Sequence, residues 1–319
     1  MFSSEDLLHQ LIVERMLAGV ATRRHADVAE PVGQQVEARS GATSHSAVSR
    51  RFVRATKRAL GELLARDLSD LEVAVVMIDG IEVAGACLVA ALLITTDGRK
   101  VPVGLWLGDT ENKAVVTDLL ADLVARGLST GGGVLVVIDG SKALATAVRK
   151  VFGEHTPIQR CTLHKRRNVA SYLSKEAAER IDRRLAQAFA HPDPAKGLDR
   201  ARSIAREIEP DHPDAAASLR EGLEDMFTVR RLGITGRLAR SLTNTNCIES
   251  MISVARTATR NVKRWRDGAM KKRWVAVGIL EAERSFRRLK GCKEMPVLVA
   301  ALRRRAENVR GEGYDREAA

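Results

Sequence analysis

Val73-Ala-Val-Val-Met-Ile-Asp-Gly80 and Val134-Leu-Val-Val-Ile-Asp-Gly140 repeat one pattern. Each is a short continuous apolar run rich in Val and Ile, so each reads as a buried strand. Each ends in an acid followed at once by glycine, Asp79-Gly80 and Asp139-Gly140. A buried strand that delivers a carboxylate needs a reason, because an unpaired ionised acid is costly away from water. Two such tips side by side repel each other unless a cation sits between them. The pair therefore argues for a divalent-metal site.

Working outward, two further apolar runs follow the first acid, Ala86–Thr95 and Lys100–Leu107. Thr96-Asp97-Gly98-Arg99 separates them, and Asp-Gly between apolar runs is a hairpin signal. An amphipathic helix is expected over about 112–126, with Val115, Val116, Leu119, Leu120 and Leu123 on its apolar side and Gly127 as its stop. The order is strand, strand, strand, helix, strand. A helical crossover makes the fourth strand parallel to an earlier one. If it pairs with the first, Asp79 and Asp139 become neighbours. This is the order of a ribonuclease H-like core, so the predicted fold class is α/β: a ribonuclease H-like mixed sheet with an all-helical insertion, preceded by a small helical DNA-binding region.

The rest divides accordingly. Residues 1–69 read as helical, with Leu8, Leu11, Ile12 and Met16 at helical spacing and the clearest helix of the chain from Ser44 to about Arg66. There Val48, Phe52, Ala55, Ala59 and Leu63 form one stripe, opposed by Arg50, Arg51, Arg54, Lys57 and Arg58, with Ser44 or Ser46 as the cap. Such a helix suits a DNA groove, or is simply a solvated basic face. The first part of the core spans 70–173, with a second helix near Thr146–Phe152 and a short fifth strand in Ile158–Leu163. Residues 174–235 read as an all-helical insertion punctuated by Pro192, Pro194, Pro210 and Pro213. The last part of the core, with basic helices, spans 236–302, and 303–319 is a polar tail, expected to be frayed after Glu312.

Composition narrows the partners. A net charge of +12 and a pI near 9.9 over 319 residues point to a polyanion, most often nucleic acid. Four widely spaced cysteines imply no disulfide framework. Glu5 and Asp6 precede any apolar run, unlike a signal peptide, and no stretch is apolar enough to span a membrane. The expected location is the cytoplasm, in association with the nucleoid. Gly131–Gly133 precedes a strand instead of following one, which excludes a dinucleotide fingerprint, and no phosphate-binding loop accompanies Val-Val-Ile-Asp.

Glu249 follows Asn244-Thr-Asn-Cys-Ile, where the asparagines can cap a helix. On that helix Glu249, Ser253 and Arg256 share a face. Taken alone, a glutamate in a first turn is ordinary helix chemistry. The chain resembles the Mutator-type transposases of bacterial insertion sequences through Met77–Gly80, Val137–Lys142, Gln159-Arg-Cys-Thr-Leu-His-Lys-Arg-Arg-Asn-Val169, Asn246-Cys-Ile-Glu-Ser250 and Thr259–Gly268. The resemblance covers about residues 44–302. It implies a catalytic, metal-binding triad of Asp79, Asp139 and Glu249, working with two Mg²⁺ ions for which Mn²⁺ can substitute. It implies cleavage at the element's terminal inverted repeats and transfer of the freed 3′-OH ends to target DNA. Members usually carry a longer N-terminal DNA-binding region, so a shortened one is expected here. Synapsis of two ends implies a homodimer. The alternatives are a non-catalytic derivative that binds the repeats and represses, and a nuclease of the same fold that cuts without joining.

Cys161 and His164 form a Cys-x-x-His pair without a second pair at zinc spacing, so no zinc is expected. In the family this signature lies close to the active site, which gives Cys161, His164 and Arg256 a role in shaping the site or touching DNA. Lys165, Arg166 and Arg167 follow directly and are candidates for phosphate contact, as are Arg260, Lys263 and Arg264. Trp265 could stack on an unpaired base, although a tryptophan in this setting is more often part of a core.

Overall fold

The computed structural model describes residues 12–19, 44–108, 113–260 and 262–317. Five strands form one sheet in the order β3-β2-β1-β4-β5. Strands β1 (Val73–Val83), β2 (Ala86–Thr95) and β3 (Lys100–Gly108) form an antiparallel meander. Strands β4 (Leu135–Ile138) and β5 (Ile158–Arg160) add in parallel on the other side of β1. The parallel pairing of β1 with β4 that would bring the two acids together is present, in the register Val75↔Leu135 to Met77↔Val137.

The central runs are continuously apolar because both faces of the sheet are covered. Met77, Leu88, Ala90, Leu92, Leu135 and Val137 point to one face, against helices from the 236–302 segment. Val76, Ile78, Val89, Ala91, Leu93, Val136 and Ile138 point to the other. That second face carries the crossover helix Lys113–Ala125 and the helix Lys142–Phe152, whose Ser141 cap accepts from the Leu144 amide.

The expectation that the first strand ends at Asp79-Gly80 is corrected. β1 continues to Val83, pairing Ile81 with Leu88 and Val83 with Ala86. Ile81 and Val83 are buried while Glu82 between them is exposed, the alternation of an ordinary strand. Ala84 (φ 49°) and Gly85 (φ 74°) then make the turn into β2. Two left-handed residues are what a tight two-residue hairpin requires, and Ala-Gly does not advertise it. Asp79 thus sits within a strand, just past the point where the ladder to β4 stops.

In chain order the helices are α1 (His45–Leu64), α2 (Lys113–Ala125), α3 (Lys142–Phe152), α4 (Thr162–Ala170), α5 (Lys175–Ala190), α6 (Pro194–Ile208), α7 (Pro213–Arg220), α8 (Thr228–Arg231), α9 (Gly236–Leu242), α10 (Asn246–Thr259), α11 (Gly268–Arg284) and α12 (Met295–Glu317). Ser44 caps α1, and Val48, Phe52, Thr56 and Leu63 form its buried side. Thr56 thus takes the place expected of Ala55 and Ala59, its hydroxyl bonding back to the Phe52 carbonyl at 2.8 Å. Phe52 packs on Trp274 of α11 with ring centroids 4.7 Å apart. A helical turn spans 12–17 and adds Ile12 to that cluster. The rest of the expected helical region before residue 44, Leu8 and Leu11 included, lies outside the described residues.

Helices α5 to α7 enclose a core of their own, from Ile181 and Leu185 to Met226 and Phe227. Buried polar groups fasten this unit to β5. Gln159 donates to the Met226 carbonyl and accepts from the Val229 amide, each at 2.9 Å. Arg160 reaches Glu221 at 2.6 Å and Asp225 at 3.2 Å.

Within the polar segment after residue 302, α12 continues to Glu317. Leu298 and Leu302 bury this helix against the sheet core, and Arg305 and Arg310 donate to the carbonyls of His155 and Gly131. Gly133 (φ 83°) permits the close approach, since a Cβ there would lie 2.6 Å from the Leu302 carbonyl oxygen. No helix among the described residues is long and apolar enough to cross a membrane.

Candidate active site

Side chains alternate across a strand. Met77 faces the α9–α12 side of the sheet, so Asp79, two residues on, faces it too. By the same count from Val137, so does Asp139, on a strand about 5 Å away. Helix α10 packs against β1 on that side and carries Glu249 in its first turn. The three acids expected from the sequence therefore converge on one face.

Each carboxylate is held. Asp79 accepts from the Gly80 amide at 2.9 Å and Asp139 from the Ser141 amide at 2.8 Å. Glu249 accepts from the hydroxyl of Thr245, one turn earlier. Burial pushes the Asp79 carboxyl up to about 6; the Gly80 amide opposes this, Asp139 and Glu249 add to it, and His164 offsets part of it.

The Cys-x-x-His block lies on α4 and not in an extended fifth strand, which ends at Arg160. The Cys161 amide bonds to the carbonyl of Ile138, the residue before Asp139, at 2.8 Å. Thr162 bonds through its amide and its hydroxyl to the Thr243 carbonyl, at 3.0 Å each. These ties bring the N-terminus of α4 to the turn before α10. Thr245, fully buried, is shared: its oxygen lies 3.4 Å from both Cys161 Sγ and His164 Nδ1 while it donates to Glu249. His164 Nε2 is 3.9 Å from Glu249 Oε1.

The electrostatics follow. Hydrogen bonding to Cys161 raises the His164 imidazole to about 9 against the effect of burial, with Glu249 and Asp79 contributing. Burial opposes the Cys161 thiolate, but the hydrogen bonds from His164 and Thr245 outweigh it, so the thiol is lowered. Glu249 and Asp79 thus favour the charged form of His164 beside them.

Donor atoms of Cys161, His164 and Glu249 lie within 4.8 Å of one another, a set capable of holding a metal ion. Spacing along the chain concealed this, because the third donor comes from another helix. Hard divalent cations are better served by the carboxylates of Asp79, Asp139 and Glu249 than by a thiol and an imidazole. A raised Asp79 among like charges is the environment that such a cation relieves. The residues present fit Mg²⁺ or Mn²⁺.

The other expected residues divide. Arg256 is exposed on α10, two turns from Glu249, and Arg260, Lys263 and Arg264 are exposed beyond it. Trp265 is half-buried and packs against two core clusters. Arg167 is exposed, and Arg166 is forked onto Asp182 with Nε at 2.7 Å. Lys165 is corrected: it is buried and donates to the carbonyls of Ser218 and Glu221 at 2.6 Å, so it braces the helical unit and does not face phosphate. Arg50, Arg51, Arg54 and Lys57 lie on α1, which packs on α11 and β3 at the sheet edge and not beside the acids. Sequence reasoning missed Thr245 and the Arg160 cluster. The signals were a hydroxyl one turn before Glu249 and two polar residues in a three-residue buried strand.

The sheet thus carries convergent acids on one face, with exposed cations on α10 and beyond it. The model of the family described as transposase, Mutator family, matches residues 3–288, and the chain belongs to that family. It is similar to a probable transposase for an insertion sequence element of Corynebacterium diphtheriae, 27% identical over 67% of this chain and 62% of that protein. It is also similar to the transposase for insertion sequence element IST2 of Acidithiobacillus ferrooxidans, 27% identical over 56% of this chain and 58% of that protein. The chain spans about three-fifths of the length of these curated relatives. The family match begins well before Ser44, where the recognisable motifs start.

Proposed function

We propose that this chain is a DNA transposase with a ribonuclease H-like core, which cleaves the terminal inverted repeats of its insertion sequence and joins the 3′-OH ends to target DNA. The observation that carries the reading is the β1–β4 register, which aligns Asp79 with Asp139 on the face that α10 covers with Glu249. Asp79, Asp139 and Glu249 would hold two divalent cations, whose chemistry at a phosphodiester is polarisation of the phosphoryl oxygens and neutralisation of the charge that develops on attacking and leaving oxygens.

The chain's own groups have distinct tasks. The Gly80 and Ser141 amides fix the rotamers of Asp79 and Asp139. Thr245 and His164 orient Glu249 and balance its charge. Arg256 and the exposed cations after it hold the DNA backbone against the site. In cleavage, water adds to phosphorus and the P–O3′ bond breaks, leaving a 3′-OH. In joining, that 3′-OH adds to a target phosphorus and a target 3′-OH departs. Two ends must be processed together, so the working form is a homodimer.

The test is strand cleavage and joining on a fragment carrying the repeats that flank the gene, with wild type beside Asp139→Ala, in Mg²⁺ and in EDTA. Metal-dependent nicking at the repeat tips that disappears in the variant is expected. Repeat binding without cleavage in any metal would make the protein a repressor. Cutting without joining would make it a nuclease.

A further inference from the structure

On another side of the first turns of α10 lies a second, oppositely charged feature that the proposed reaction has not used. A cleft of about 740 Å³ opens between the start of β3, helix α9, the first turns of α10 and the turn at 290–291. Four cations line it, Lys100, Arg237, Arg240 and Lys290, and no carboxylate does. None of the four has a carboxylate partner among the described residues, and Lys100 leans on the Phe286 ring, 5.7 Å from its centroid. Asn246 and Ser250 add an amide and a hydroxyl from one face of α10.

The walls are fixed. Ser241 donates to the Lys290 carbonyl at 2.9 Å, and the Leu289 amide donates to the Gly98 carbonyl at 2.9 Å. Gly291 (φ 88°) packs so closely that a Cβ would lie 2.4 Å from the Leu238 amide nitrogen. Like charges held together without an acid are an unfavourable arrangement unless an anion is to occupy it. Cys247 is the one lining side chain without charge, amide or hydroxyl. Four cations with no acid among them suit an extended phosphodiester chain.

Two DNAs must meet at Glu249 during joining. The run from Arg256 to Lys272 extends from the C-terminal end of α10 towards α11, on which the basic helix α1 packs. The cleft opens at the other end of α10, and Ser250 directly follows Glu249. We propose that the α1–α11 side carries the element's end and that this cleft is the subsite for the backbone of the target strand. The inference rests on the transposase reading.

The test is a double variant, Arg240→Ala with Lys290→Ala, both exposed side chains whose loss leaves the thermal midpoint in place. Joining of a pre-cleaved end to plasmid is expected to fall at least ten-fold more than cleavage at the repeat tip. The slope of log affinity for plasmid against log salt should flatten by about 1.8, from about 0.9 per lost phosphate contact. In wild type, target duplex should slow alkylation of Cys247, read by peptide mass spectrometry, whereas an end fragment alone should not. Equal losses of cleavage and joining, or protection of Cys247 by the end fragment alone, would assign the cleft to the element's end and overturn the proposal. An unchanged salt slope with unprotected Cys247 would show that the cleft holds no DNA. If wild type shows no Asp139-dependent cleavage, the transposase reading fails, while the salt slope and the Cys247 footprint still report on the cleft.

Discussion

Without metal, Asp79 should destabilise the protein that carries it, and Asp79→Asn isolates the effect. Its carboxyl is pushed from an ordinary value of 3.8 to about 6, chiefly by burial. That rise corresponds to about 3 kcal/mol between the protonated and ionised forms. The sign is that of an acid raised on folding. Below pH 3.8 the group is protonated in both states and contributes nothing. Between pH 3.8 and 6 the unfolded chain ionises first, and above pH 6 the folded protein carries the full penalty, so stability is lost as pH rises through this window. Asparagine removes the charge, keeps the shape and, like the protonated acid, can still accept from the Gly80 amide. Because the raised value already includes the Gly80 bond, the expected gain is about 3 kcal/mol at pH 7.5 and well under 1 kcal/mol at pH 4. For a chain of this size that is a rise of about 4 °C in midpoint. The assay is chemical and thermal denaturation of wild type and Asp79→Asn in EDTA at both pH values, read as their difference. Adding Mg²⁺ should reverse the order, because wild type gains binding energy that the variant lacks. A variant no more stable than wild type at pH 7.5, or a gain of equal size at pH 4, refutes the reasoning.

Thr245→Val keeps the buried shape but loses the hydroxyl that donates to Glu249; cleavage should slow ten- to a hundred-fold with the fold intact, and a rate within two-fold of wild type would remove Thr245 from the orienting role. Arg160→Ala leaves Glu221 with Lys165 at 3.2 Å and Asp225 with Arg149 only at 3.9 Å, and should cost about 3 kcal/mol in urea unfolding. Arg160→Met should cost less than Asp225→Ala combined with it only if packing, and not charge pairing, holds the helical unit. Metal analysis of protein purified without chelator is expected to find no stoichiometric zinc. Bound zinc that disappears in Cys161→Ala would instead make Cys161, His164 and Glu249 a metal centre.

Much of the site was legible because burial has a local period. A strand covered on both faces must be apolar throughout, so acids closing two such runs stand out at once, as Asp79 and Asp139 do. The hairpin at Thr96–Arg99 and the proline-punctuated helices of 174–235 were equally local. Glu249 was not, since a glutamate in a first turn is ordinary, and only family motifs singled it out. Where Lys165 points is decided by Ser218 and Glu221, more than fifty residues away.

The sequence by itself determined the succession of strands and helices along the core, the two strand-borne acids, the basic character of the chain and the family resemblance, because these depend on period, spacing and composition. Only the tertiary structure decided that β1 runs on to Val83, that α12 continues to Glu317, and that Cys161 and His164 meet Thr245 and Glu249. It alone gathered Lys100, Arg237, Arg240 and Lys290 around one cleft. The physical reason is the same in each case. These features are fixed by contacts between residues far apart in the chain, and neither propensity nor periodicity records which surfaces will meet.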